Sequence, residues 1–143
     1  GDVRECLMEL LQNRAHGALR HQILSLAGDM CVARGPDWAV PRVQEAGGSV
    51  DGRMVQLLIG MAKVELRLHV ETPPGEGLPD GSEVAVPVSL LLLEKALEFM
   101  SDEADDAPWA SLSAESLLYI KADLEECADA VCERLQDWRE QWA

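Results

Sequence analysis

The chain has 143 residues, 12 of them Lys or Arg against 26 Asp or Glu, a net charge of −14, and 48% hydrophobic against 27% charged side chains. That length and balance describe one domain able to bury a core, and they exclude wholesale disorder and low-complexity classes. No apolar run approaches the roughly 18 residues of a bilayer span, and the chain lacks the Lys and Arg clusters that duplex nucleic acid requires, so neither a membrane span nor a nucleic-acid partner is expected.

The first stripe, Val3, Cys6, Leu7, Leu10 and Leu11, predicts an amphipathic helix over about 2–13. After a break at 14–17, Leu19, Ile23, Leu26, Ala27 and Met30 predict a second helix that pairs with the first as an antiparallel hairpin and stops at Gly35-Pro36. Residues 35–52 read as a connector punctuated by Pro36, Pro41, Gly47 and Gly48, with Trp38 and Val40 as apolar anchors. A third helix is predicted over 53–72, with Met54, Leu57, Leu58, Met61, Val64 and Leu68 on its stripe and Arg53, Lys63, Arg67 and Glu71 mainly off it.

Residues 73–83 are rich in Pro, Gly and acids and predict an exposed loop. Over 84–100 the four leucines at 90–93, then Ala96, Leu97, Phe99 and Met100, predict a central helix buried nearly all round, with Leu92 or Leu93 fully enclosed. Residues 101–112 form the next loop. From Ser113 onward Leu117, Ile120, Leu124, Cys127, Val131, Leu135, Trp138 and Trp142 keep one stripe over roughly 45 Å of helix. No segment alternates as a strand does. The chain reads as all-α, a single segment over 1–143 of about five helices, stacked as an armadillo- or HEAT-like α-solenoid; the alternative is a closed helical bundle. Starting without Met and ending inside a helical pattern, it reads as a piece excised from a longer protein.

Charge is uneven along the chain. Residues 1–70 hold eight acids and eight bases, and residues 71–143 hold eighteen acids and four bases, which is the whole of the −14. That asymmetry fits a solvated acidic face or a protein partner with a basic segment. The residues that would meet such a partner are Asp102, Asp105 and Asp106 in the loop, Glu126, Asp129 and Glu133 on the last helix, and Trp109 and Trp142 as apolar anchors.

No catalytic pattern accompanies them. His16, His21 and His69 lie in no zinc-binding or nucleophile context, Gly75, Gly77 and Gly81 lie among prolines and acids that repel phosphate, and the acids at 102–106 lack the glycine and distant glutamate of a calcium loop. No cofactor or metal is expected. Cys6, Cys31, Cys127 and Cys132 show no CxxC spacing, which fits a reduced, cytoplasmic protein, with Cys31 and Cys127 placed as core residues.

Three stretches carry a resemblance. They are Leu24-Ser25-Leu26-Ala27-Gly28-Asp29-Met30 leading to Gly35-Pro36-Asp37-Trp38; the leucine-rich helix at 57–71 with its Val64-Glu65-Leu66-Arg67-Leu68 core; and the apolar helix at 90–99 followed by the long acidic helix with Glu125-Glu126 and 127–135. In this order they resemble an internal part of the neurochondrin family. The resemblance implies a cytoplasmic, non-enzymatic adaptor of helical repeats, linked in animals to neurite outgrowth and to restraint of calcium/calmodulin-dependent kinase II, with no catalytic residues to carry over. The competing reading is an acidic helical-bundle domain that binds a small molecule or acts as an enzyme, which needs convergent polar residues inside the helix array.

Overall fold

Helical periodicity gathers apolar side chains onto stripes, and burying those stripes against one another decides how the segments stack. The computed structural model describes residues 3–12, 17–40, 52–72, 76–77, 82–104 and 107–142. In chain order its elements are α1 (Val3–Gln12), α2 (Gly17–Arg34), α3 (Arg53–Glu71), α4 (Ser82–Met100) and α5 (Ala114–Trp142), with 3-10 turns at Pro36–Ala39 and Pro108–Ser111. The chain is all-α, as the stripes predict, and among the described residues there is no strand.

Local chemistry sets the ends of these elements. Gly35 takes φ 89°, a left-handed conformation that a Cβ disfavours, and its N–H donates to the Cys31 carbonyl at 2.9 Å, closing α2. The following 3-10 turn leaves Val40 buried and Trp38 half-buried against the core. At the start of α5 the Ser113 hydroxyl accepts the Ser116 N–H at 3.1 Å, satisfying one of the donors that every helix N-terminus leaves open. Glu76 and Gly77 in the Pro- and Gly-rich loop are exposed, while the connector over 41–51 and the rest of 73–81 lie outside the described residues.

The central element is α3, with α5 on one flank and α4 on another; α2 packs on α4, and α1 touches both α2 and α3. Positions rise together along α3 and α5, so the two helices run parallel: Gly52 lies against Leu112 and Ser116, Gly60 against Asp123, and Arg67 reaches Glu133. α4 runs antiparallel to α3, since Val55 and Ile59 share a small cavity with Leu92 and Phe99 while Leu66 and Val70 meet Val86 and Leu93. α2 follows α4 in parallel, with Gly28 against Val88 and Leu91, and Cys31 beside Leu92 and Ala96. α3 thus carries both α4 and α5, and α2 reaches the array chiefly through α4.

This layout corrects the expectation that 84–100 is the central helix, buried nearly all round. α3 buries Met54, Val55, Leu58, Ile59, Ala62, Glu65 and Leu66, because neighbours flank it on several sides. α4 encloses Ala85, Ser89, Leu92, Ala96 and Phe99, but Leu90 and Leu97 stay 42% and 51% exposed and Leu93 is half-buried. Consecutive leucines on a helix point about 100° apart, so only one of the four can face the core squarely. The same effect shifts other stripes: Val64 and Leu68 on α3, Leu19 and Leu26 on α2, and Leu135 and Trp138 on α5 are all exposed.

Candidate functional site

Parallel packing turns one flank of α5 toward two bases on α3 that sit one helical turn apart. Lys63 Nζ lies 2.7 Å from Asp123 Oδ1 and 3.6 Å from Glu126, and Arg67 lies 3.4 Å from Glu133. The hydrogen bond to Asp123 holds the Lys63 ammonium above its ordinary pKa; partial burial opposes this, and the charges of Asp123 and Glu126 add to it. These pairs are partly exposed, so each contributes up to about 1 kcal/mol and weakens with salt.

On the opposite side of α3 the carboxylate of Glu65 is buried, with Arg20 of α2 at 3.8 Å and His21 Nε2 at 3.5 Å. Near the end of α3, His69 Nδ1 and Arg134 Nε are buried without a hydrogen bond among the described residues. Burial, with the Arg134 charge adding to it, holds the His69 pKa below its ordinary value. Arg134 in turn lies over the Trp138 ring, 5.9 Å from its centroid.

The expected partner-binding residues divide into groups. Asp102 and Trp109 come together between α4 and α5, where the Trp109 indole N–H donates to the Asp102 carbonyl at 2.7 Å and Asp102 Oδ1 accepts the Ala104 N–H at 3.0 Å. Trp109 is half-buried against the main core, so its indole organises the loop. Glu126 and Glu133 keep more than half of each side chain exposed while reaching Lys63 and Arg67. Asp129 is exposed on the same helix. Asp105, Asp106 and the Trp142 side chain lie outside the described residues. Sequence reasoning missed Asp123, Lys63 and Arg67; the signal available was a pair of bases four residues apart, lying off the α3 stripe.

Apolar surface accompanies the charge. A groove of about 410 Å³ runs along the outer side of α3, lined by Leu57, Met61 and Val64 with Arg20 and Arg53 at its edge. Between α4 and α5 a second apolar surface is framed by exposed Leu90, Leu97, Leu135 and Trp138. Among the described residues no three or more His, Cys, Asp or Glu side chains are grouped to hold a metal ion, and no helix is long and apolar enough to cross a membrane.

The molecule is thus an all-helical protein of packed helix pairs, with an ion-paired seam between α3 and α5 and apolar side chains left on its outer faces. The neurochondrin family profile matches residues 2–142, nearly the whole chain, and the chain belongs to that family. No curated protein and no solved structure matches it.

Proposed function

We propose that this chain is a non-enzymatic scaffold for protein–protein interaction, an open helical-repeat segment whose outer faces dock protein partners. The observation that carries this reading is the placement of large apolar side chains on solvent-facing stripes of three successive helices: Val64 and Leu68 on α3, Leu90 and Leu97 on α4, Leu135 and Trp138 on α5. The neighbour pattern supports an open array, because α3 and α5 run parallel, α3 and α4 antiparallel, and α4 and α5 scarcely touch. The interior supports a scaffold over a catalyst. Its described buried residues are apolar apart from Glu65, which has basic neighbours, and Ser89, whose hydroxyl donates to the Ala85 carbonyl at 2.6 Å.

In the setting that the family resemblance implies, the scaffold acts in the cytoplasm on calcium/calmodulin-dependent kinase II during neurite outgrowth. Immobilised chain is expected to retain the purified kinase and to slow its phosphorylation of a peptide substrate. Kinase that flows through with an unchanged rate sinks the kinase assignment. Turnover of a small molecule by the chain alone, abolished by Glu65→Gln, would replace the scaffold with an enzyme.

A further inference from the structure

The smaller of the two apolar cores is unfinished. Leu66 of α3 and Cys127 and Ala130 of α5 are buried in it, but Val70, Val86, Leu93 and Val131 are only partly covered. α4 and α5 both pack on α3 and scarcely touch each other, so this core stays open between them, with α3 as its floor and α4 and α5 as its walls. Both walls continue outward as apolar stripes at helical spacing: Val86, Leu90, Leu93 and Leu97 on α4, and Leu124, Val131, Leu135 and Trp138 on α5. The outermost members Leu90, Leu97, Leu135 and Trp138 are between 42% and 53% exposed.

We infer that the α4–α5 cleft is a docking site for one amphipathic α-helix of a partner protein, its apolar stripe in the cleft and Lys or Arg along its flanks. This deepens the scaffold reading and rests on it. The walls, from Val86 to Leu97 and from Leu124 to Trp138, are about 17 and 21 Å long, room for about three to four helical turns. Charge selects the occupant. Glu83 and Glu94 are exposed on α4, Asp102 and Glu103 extend the negative charge past its last turn, and Glu125 is exposed on α5. Lys121 is already beside Glu125 at 3.9 Å, and Arg134 over the Trp138 ring and Arg139 in the last turn of α5 are the further bases on that wall, fewer than the acids around the cleft. A second copy of the chain would bring −14 against the same acids, a repulsion that disfavours self-association and favours a basic helix.

The test titrates the whole chain into two fluorescein-labelled peptides of about four turns that share one leucine stripe, one flanked by lysines and the other by glutamates, and follows anisotropy. The lysine peptide should bind at least about tenfold tighter than the glutamate peptide, with the gap narrowing as salt rises. Leu90→Asp and Leu135→Asp, both at exposed positions, should each weaken it about tenfold or more, while Val32→Asp on exposed α2 surface should leave it unchanged. Circular dichroism of each variant separates lost binding from lost fold. Equal binding of the two peptides, no binding of either, or equal loss in Val32→Asp overturns the proposal. A dimer in sedimentation that Leu135→Asp dissolves overturns it in favour of a second copy. If the kinase is retained equally by the parent and the cleft variants, the scaffold stands and the cleft assignment falls; if the peptide binds as expected while the kinase flows through, the cleft stands and the kinase assignment falls.

Discussion

Cys127 is fully enclosed between α3 and α5, and burial, reinforced by the Asp123 charge, pushes its thiol up to about 11. Burial does the same to Cys31, up to about 11, against the pull of Lys95. Folded values above the unfolded one mean that both thiols stay protonated in the fold while the unfolded chain ionises. Their contribution is therefore intact below about pH 9 and is lost as pH rises from there toward 11. Thermal melts by circular dichroism should show Tm falling across that window, and Cys31→Ala with Cys127→Ala should flatten the fall. A disulfide reagent at neutral pH should modify exposed Cys6 and Cys132 quickly and the two buried thiols only on unfolding. Four fast thiols would contradict the enclosure of Cys31 and Cys127.

At the scale of an element, α4 offers a sharp comparison between neighbours. Leu92 is 4% exposed in the main core and Leu93 is half-buried in the unfinished one. Leu92→Ala should cost about 2–5 kcal/mol, with Leu93→Ala costing clearly less, read from denaturant midpoints. Equal losses would mean that the second core is as well packed as the first. α5 separates two uses of acid. Reversal of Glu126 or Glu133 to Lys sets a new cation beside Lys63 or Arg67 and should lower Tm, whereas Asp129→Lys, on the exposed surface, should leave Tm within a degree or two and slow association with a basic partner. Unchanged association of the Asp129 variant at low salt would reduce this face to a solvated surface.

For the whole molecule, two electrostatic effects oppose each other. The seam pairs between α3 and α5 stabilise by up to about 1 kcal/mol each and are lost to screening. The eighteen acids of residues 71–143 repel one another over a longer range, with only four bases among them, and screening relieves that repulsion. Because the repulsion is spread over many charges and the pairs are few and partly exposed, Tm should rise as sodium chloride goes from about 20 mM to 0.5 M. A falling Tm would assign the seam pairs more weight than their exposure allows.

Periodicity and local chemistry by themselves determined the all-helical class, the order of the five helices, the stop at Gly35, the start beyond Ser113 and the burial of Cys31 and Cys127. These depend on residues within a turn or two of one another, so they can be read without knowing what lies alongside. Which side of a helix faces inward was legible only where one side is polar. α3 carries a broad apolar arc: Leu58 and Leu57 are equally good core residues by sequence, and the packing of α4 and α5 selected Leu58 for burial and left Leu57 at the groove. The pairing of Lys63 with Asp123 joins segments sixty positions apart, and a tally of charge by halves of the chain separates what the fold brings together. Only the tertiary structure placed α3 at the centre and left the α4–α5 cleft open, because burial belongs to a residue's neighbours in space and a stripe carries no record of how many helices will cover it.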